Sequence, residues 1–141
     1  MAEQRILLDT GPLVALLAQN DSYHRLCVDT LGSLCPPLFT CWPVLTEAAW
    51  LLRDQERPLD RILDAQISGM FELMSLESDS LTAIAAIMRR YENIRLQLAD
   101  AALVYLADRE NIRTIFTLDR RDFSIIRLKR NRPFRLIPEK Q

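Results

Sequence analysis

Short apolar runs alternate along the chain with segments in which apolar residues recur every three or four positions. The runs are typical of strands buried in a parallel sheet, and the longer spacing is typical of helices with one buried face. Four or five strands are predicted, at 6–8, 38–41, 71–76, 114–118 and 134–137. Helical spacing fills the intervals between the first four strands. The chain therefore alternates between the two kinds of element over most of its length.

Strands separated by helices require right-handed crossovers, which place parallel strands side by side and cover the sheet with helices. The sequence therefore predicts a three-layer α/β/α fold with a central parallel sheet of four to five strands. Residues 1–141 contain no internal repeat, linker or low-complexity segment, so we expect a single domain.

Helical spacing also predicts which side chains face the core. Gly11 is expected in a tight turn after the first strand, and Pro12 at the first position of the next helix. Trp50 is expected in the core, whereas Trp42, which precedes a proline, is expected at the surface. The residues expected on buried helix faces include Leu51, Leu52, Leu59, Ile62, Leu63, Ile67, Leu81, Ile84, Ile87 and Met88.

Composition limits the class of protein. Of 141 residues, 49% are apolar and 26% are charged, which is ordinary for a globular protein in water. No apolar run is long enough to span a bilayer and no leader pattern is present, so we expect a cytoplasmic protein without a membrane partner. Cys27, Cys35 and Cys41 are odd in number and lack a metal-binding spacing, which favours reduced, partly buried thiols.

Basic residues are concentrated late in the chain. The formal net charge is −1, but residues 71–141 hold thirteen of the eighteen basic side chains, and sixteen of the eighteen are Arg. The guanidinium group of Arg matches phosphate geometry, so this stretch could hold a nucleic-acid backbone. The alternative, which stays open, is that these residues form a charged surface exposed to solvent. The densest part contains Arg113, Arg120, Arg121, Arg127, Lys129, Arg130, Arg132 and Arg135.

Acidic residues follow the predicted strands or begin the predicted helices. Asp9 follows the first strand, and Glu47 lies near the start of the helix after the second. Asp100 lies in the first turn of the helix before the fourth strand, Asp119 follows that strand, and Asp122 comes three residues later. Each alone is explained as a cap or turn residue. Together they lie at one edge of the sheet, where ligands bind in such folds.

Clustered carboxylates repel one another unless a cation separates them, and oxygen ligands favour Mg²⁺ or Mn²⁺. The chain has a single histidine, His24, so catalysis by an imidazole pair is excluded. His24 is expected at the surface of the second helix. The sequence also lacks a glycine-rich phosphate loop and a nucleophile elbow. These features together predict a divalent metal site at the acidic edge.

Four short motifs occur in order at these acids. They are Ile6-Leu7-Leu8-Asp9-Thr10, Pro43-Val44-Leu45-Thr46-Glu47, Leu98-Ala99-Asp100-Ala101 and Phe116-Thr117-Leu118-Asp119-Arg120-Arg121-Asp122-Phe123. Over 7–137 this succession resembles the PIN-domain ribonucleases, and within them the VapC-like toxins of toxin–antitoxin pairs. The resemblance implies a PIN-like fold and a metal-dependent endoribonuclease.

Carried over by position, the resemblance implies that Asp9, Glu47, Asp100 and Asp119 hold one or two Mg²⁺ or Mn²⁺ ions. Thr10, Thr117 and Asp122 would support them. Gln97 departs from the pattern, because many relatives carry an acid there, and this makes a second ion harder to place. The resemblance also implies that basic residues hold flanking RNA phosphates, namely Arg113, Arg120, Arg121, Arg127, Lys129 and Arg130.

The implied partners are RNA, a second copy of the chain, and a small antitoxin whose helix or tail fills a groove near the acids. Trp42, Trp50 and the apolar faces of the first two helices are candidates for that groove. Three alternatives stay open, namely an RNA-processing nuclease that is not a toxin, a catalytically silent binding module, and a phosphatase with Asp9 as nucleophile. The phosphatase alternative is weakened because such enzymes need a second acid two residues after the nucleophile, where this chain has Gly11.

Overall fold

The computed structural model describes residues 4–139, and its centre is a sheet of five parallel strands. The strands are β1 (Ile6–Leu8), β2 (Leu38–Thr40), β3 (Phe71–Leu73), β4 (Thr114–Phe116) and β7 (Arg135–Ile137), and β5 (Arg127–Leu128) and β6 (Arg132–Pro133) form a separate antiparallel pair. The order across the sheet is β3-β2-β1-β4-β7. The predicted parallel sheet is therefore confirmed.

Seven helices connect and flank these strands within residues 4–139. They are α1 (Thr10–Leu17), α2 (His24–Gly32), α3 (Trp42–Leu51), α4 (Pro58–Ile67), α5 (Ser80–Arg90), α6 (Leu98–Glu110) and α7 (Arg120–Ile125). The sequence pattern missed α7 and the β5–β6 pair, because elements this short show no sustained period. No helix in this part of the chain is long and apolar enough to cross a membrane.

The core lies around the two central strands and α6. Leu7 of β1 is opposite Ile115 of β4, and both side chains are fully buried, as expected for strands covered on both faces. Ala101 and Ala102 are also inaccessible, and these small side chains let α6 pack closely in the interior. Since α6 contacts both α3 and α5, its first turn is held at a fixed place on the carboxyl edge of the sheet.

Several predicted core positions are wrong. Trp50 is 64% exposed, although Trp42 is exposed as expected at 63%. On α4 only Ile62 and Ala65 are buried, so the apolar face of this helix is wider than the face that packs against the core. The remaining exposed side chains that the spacing assigned to the core are Leu51, Leu59, Leu63, Ile67 and Leu81.

The prediction of a tight turn at Gly11 is also wrong. Helix α1 begins at Thr10, so Gly11 lies within its first turn and Pro12 occupies the third helical position rather than the first. Asp9 is the N-cap, and its carboxylate accepts a hydrogen bond from the Thr10 N–H. Asp9 is therefore the single residue between β1 and α1.

His24 lies at the start of α2, and Cys41 directly follows β2 at the carboxyl edge of the sheet. His24 is half-buried, and its Nδ1 hydrogen bonds with the Ala15 carbonyl at 2.7 Å, which ties α2 to α1. All three cysteines are free; Cys35 is exposed, whereas Cys27 and Cys41 are buried. Burial raises the pKa of both buried thiols to about 11, so they remain protonated and weakly nucleophilic at neutral pH.

Candidate active site

Two of the four predicted acids follow adjoining strands, and the other two lie near the starts of two helices. Asp9 directly follows β1, and Asp119 follows the neighbouring β4 as the N-cap of α7. Asp100 is the third residue of α6, and Glu47 lies in the second turn of α3, which follows β2. Since parallel strands end at a common edge, this topology brings all four to one side of the sheet.

Asp9 is the buried centre of this group, with only 5% of its surface exposed. Its Oδ1 accepts a hydrogen bond from the Thr10 N–H at 2.8 Å, and its Oδ2 accepts one from Thr117 Oγ1 at 2.7 Å. The Asp119 N–H in turn donates to Thr117 Oγ1 at 2.9 Å. One threonine hydroxyl therefore links the acid after β1 to the acid after β4.

Burial raises the pKa of Asp9 from 3.8 to about 6, although its two hydrogen bonds act in the opposite direction. The negative charges of Glu47 and Asp119 raise it further. A carboxylate that responds to both neighbours lies within electrostatic range of both. Asp9 is thus costly to ionise in this site unless positive charge is supplied.

Asp100 shows the same behaviour more strongly. Its pKa is raised to about 7, first by burial and then by the charge of Asp9, with smaller effects from Glu47 and Asp119. The only opposing effect is the hydrogen bond that its Oδ2 accepts from the Gln97 N–H at 3.1 Å. The four predicted acids therefore form one electrostatically coupled group.

Gln97, which the sequence pattern marks only as a missing acid, contacts Asp100 at the start of α6. It is the N-cap of α6, and its side chain accepts a hydrogen bond from the Asp100 N–H while its own N–H donates to the Asp100 side chain. This reciprocal arrangement is a capping box, which the three-residue spacing of Gln97 and Asp100 could have indicated. It fixes Asp100 at the edge of the sheet.

Glu47 connects the buried acids to the surface. It is half-buried and contributes to a cavity of about 440 Å³ beside the exposed Trp42 and Trp50. Gln97 and Leu98 at the start of α6 form another part of its wall. We call this cavity the tryptophan groove. It provides an open approach to the acidic edge.

Asp122 belongs to the same edge through Asp119. Its N–H donates to Asp119 Oδ1 at 3.1 Å, which caps α7. Burial and the charge of Asp119 raise the pKa of Asp122, while Arg121 lowers it. Asp122 thus lies close to Asp119, as the sequence predicted, but it interacts with the group through that neighbour.

Thr10 has a buried hydroxyl without a partner. Its residue surface is 3% exposed, and its Oγ1 makes no hydrogen bond within residues 4–139. A buried polar atom of this kind is unfavourable unless something else satisfies it. The predicted supporting role of Thr10 therefore differs from that of Thr117, whose hydroxyl has two protein partners.

The acids offer oxygen ligands for a metal ion but are not arranged around a common position. Among residues 4–139, no three acidic, histidine or cysteine side chains are arranged to hold one. Backbone N–H groups hold the side chains of Asp100 and Asp119 at the first turns of their own helices. The donor chemistry nevertheless fits Mg²⁺ or Mn²⁺, because every candidate ligand is an oxygen and the repelling carboxylates carry excess negative charge.

The basic stretch predicted to hold RNA is divided by the fold. Arg120 and Arg121 begin α7 directly after Asp119, at the acidic edge, and the Arg120 guanidinium donates a hydrogen bond to the Pro138 carbonyl. The Arg127 guanidinium donates to the carbonyls of the preceding turn at Ser124, Ile125 and Ile126, so its role is local. Three further members, Arg113, Lys129 and Arg130, line a cavity at the other end of α6. They do not form one surface with Arg120.

Known proteins are similar to this chain in sequence or in fold. The curated protein Ribonuclease VapC26 of Mycobacterium tuberculosis is 32% identical over 138 residues, covering 94% of this chain and 100% of that one. The crystal structure of Mycobacterium tuberculosis VapC20, a Sarcin-Ricin loop cleaving toxin, has a TM-score of 0.71 at 19% identity, covering 82% of this chain and 91% of that one.

VapBC2 from Rickettsia felis, bound to a DNA fragment from its promoter, has a TM-score of 0.58 at 17% identity and covers 94% of this chain and 98% of that one. At these identities the two structures establish similarity of fold. The family model of the PIN domain matches residues 6–129, a span that includes all four predicted acids. This chain belongs to the PIN-domain family.

Proposed function

We propose that the protein is a metal-dependent endoribonuclease that hydrolyses RNA phosphodiester bonds. The observation that carries this proposal is the coupling of four carboxylates around the buried Asp9, in a chain of the PIN-domain family. The name of the relative VapC26 supports ribonuclease activity. Asp9, Glu47, Asp100 and Asp119 would hold one or two Mg²⁺ or Mn²⁺ ions.

The protein's own side chains position the carboxylates and provide positive charge for the RNA phosphates. Thr117 holds Asp9 and Asp119 in register, and Gln97 holds Asp100. Arg121, close to Asp119 on α7, supplies positive charge for the phosphates beside the scissile bond, while the Arg120 guanidinium donates to the Pro138 carbonyl. When bound, a divalent ion supplies an activated water and neutralises charge on the scissile phosphate.

The direct test is cleavage of end-labelled RNA in Mn²⁺, in Mg²⁺ and in excess chelator. We expect internal cleavage only with metal, and products with 5′-phosphate and 3′-hydroxyl ends. Asp9→Asn should abolish cleavage, whereas Asp64→Asn, which removes an exposed carboxylate from α4, should not. Cleavage by Asp9→Asn at the wild-type rate would contradict the proposal, and a wild-type protein that binds but never cuts RNA would indicate a silent module.

We further propose that the nuclease is the toxin of a toxin–antitoxin pair and acts in the cytoplasm as a single domain. The names of the VapC and VapBC relatives support this role over that of an RNA-processing nuclease. Induced expression in a bacterium should arrest growth, and Asp9→Asn should relieve the arrest at equal protein abundance. Unimpeded growth with active wild-type enzyme would favour the processing role.

The antitoxin is proposed to fill the tryptophan groove. Trp42 and Trp50 present two large exposed rings there, and Glu47 offers a negative charge to a basic side chain. An occupant of this groove would cover the approach to the acids. Trp50→Ala should weaken capture of the antitoxin and its inhibition of RNA cleavage, while Trp50→Phe should retain both. Inhibition unaffected by Trp50→Ala would place the antitoxin elsewhere.

A homodimer is proposed through α4. Leu59, Leu63 and Ile67 are all exposed at a spacing of four residues, so they form an apolar stripe on one face of this helix. A stripe on one helix can pack against its own copy across a two-fold axis. Leu63→Arg should shift the protein to monomer in sedimentation, whereas Leu81→Arg, at an exposed leucine on α5, should not. A Leu63→Arg variant that remains dimeric would exclude this face.

A further inference from the structure

A basic cavity lies at the end of the molecule opposite the acids. It has a volume of about 320 Å³, in the range of small-ligand sites rather than the roughly 30 Å³ that one water occupies. Its wall is formed by Ala107, Asp108, Asn111, Arg113, Leu128, Lys129, Arg130 and Arg132. We call it the basic cavity. Four of its eight residues carry a positive side chain.

The basic cavity is separate from the acidic edge. Asp100 lies in the first turn of α6 and Asn111 immediately follows its last residue, so about 16 Å of helix separates them. Arg113 precedes β4, whereas Asp119 follows that strand. The two sites therefore lie at opposite ends of both elements.

The positive side chains in this cavity have no partner among the residues that the structure describes. The guanidinium groups of Arg113, Arg130 and Arg132 and the Lys129 ammonium make no hydrogen bond or ion pair within residues 4–139. Arg109, by contrast, pairs with Glu110 on the same helix. Four cations and one acid, Asp108, leave the wall of the cavity with a net positive charge, which a bound anion would offset.

The acid in the wall is already engaged. Asp108 Oδ1 accepts a hydrogen bond from the Lys129 N–H at 2.8 Å, which anchors the turn after β5 to α6. That turn is held in a left-handed conformation at Arg130 (φ 63°) and Asn131 (φ 58°). The fold thus maintains an unfavourable backbone that presents Lys129 and Arg130 beside Arg113.

We propose that the basic cavity binds a phosphate group. Arg guanidinium groups form paired hydrogen bonds with phosphate oxygens, and Lys129 adds a point charge. The apolar Ala107 and Leu128 give the cavity a partly dry wall, which strengthens such contacts. The phosphate belongs either to an RNA strand that continues past the acidic edge or to a small phosphorylated molecule.

Pyrophosphate binding to the full-length protein, measured by calorimetry in chelator, tests this inference without reference to catalysis. Charge reversal at the exposed Arg113 or Arg130 should raise the dissociation constant at least about tenfold, because each removes a charge-assisted contact. Arg89→Glu, at an exposed arginine on α5 outside this cavity, is the matched control and should change it less than about twofold.

A second measurement identifies the source of the phosphate. If Arg113→Glu and Arg130→Glu also weaken binding of a short single-stranded RNA in chelator, the cavity holds the RNA backbone. If only pyrophosphate binding is lost, it serves a small phosphorylated molecule. Pyrophosphate binding that is absent, or that responds equally to Arg113→Glu and Arg89→Glu, would overturn the inference. Since no divalent ion is present, a failure of RNA cleavage would leave this result unaffected.

Discussion

Thr117 Oγ1 donates a hydrogen bond to Asp9 Oδ2 at 2.7 Å and accepts one from the Asp119 N–H at 2.9 Å. The hydroxyl uses its single proton on the Asp9 carboxylate, so its orientation is fixed by both neighbours. Thr117 is fully buried. This pair of contacts holds the acid after β1 and the acid after β4 in a constant relationship.

Replacing Thr117 by Val should therefore impair the site more than the fold. The change keeps the shape but removes a contact that lowers the pKa of Asp9 and leaves the Asp119 N–H without its acceptor. We expect RNA cleavage to fall by about tenfold to a hundredfold, as for supporting residues around a metal site. The loss in free energy of unfolding should be about 1–3 kcal/mol. Thr117→Ser, which retains the hydroxyl, should restore most of the cleavage rate, and equal rates for Thr117→Val and wild type would contradict this role.

Asp100→Asn should stabilise the metal-free protein at high pH. The pKa of Asp100 is about 7 in the folded protein, whereas the ordinary value, taken for the unfolded chain, is 3.8. Between these two pH values the folded protein therefore binds more protons than the unfolded chain. The contribution of Asp100 to stability is complete below the lower value and is lost as pH rises through about 7. Asn keeps an oxygen for the Gln97 N–H and removes the charge. We expect the variant to exceed wild type by about 1–3 kcal/mol at pH 8 and to match it near pH 4.

Urea unfolding of both proteins in chelator at several pH values gives this difference directly. A stability difference independent of pH, or one that favours wild type as pH rises, would show that Asp100 carries no unfavourable charge in the folded protein.

Two apolar residues on α5 should differ sharply in their effect on stability. Ile84 is 5% exposed and Leu81 is 66% exposed, although the same helical spacing predicts both to be buried. Ile84→Ala should lower the free energy of unfolding by about 2–4 kcal/mol, because it leaves a cavity in the core. Leu81→Ala should change it by less than about 0.5 kcal/mol. Chemical unfolding of the two variants would test this packing, and similar losses at both positions would contradict it.

The fold was largely predictable because its strands are buried on both faces. Such strands appear as unbroken apolar runs, and Ile6–Leu8 and Thr114–Phe116 are found where the sequence predicts them. The width of a buried helix face was less predictable. Leu59, Leu63 and Ile67 share the spacing of core residues, but α4 contacts its neighbours only through a narrower strip.

The acidic edge was predictable from topology, since an acid that follows a parallel strand has only one end of the sheet to occupy. The motifs identified the PIN-domain family, which the family model confirms. The local contacts were harder to predict. The capping role of Gln97 depends on the position at which α6 begins, and the division of the basic stretch depends on α7 and the β5–β6 pair, which had no sequence period.

Carboxylates from distant parts of the chain are proposed to share one divalent ion, and Mn²⁺ binding measured by calorimetry tests this most directly. Wild type should bind Mn²⁺, and Asp9→Asn and Asp100→Asn should each weaken binding by about tenfold or more, whereas Asp64→Asn on the exposed face of α4 should not. If both site variants bind Mn²⁺ as tightly as wild type, or if wild type does not bind it, these acids do not form a metal site.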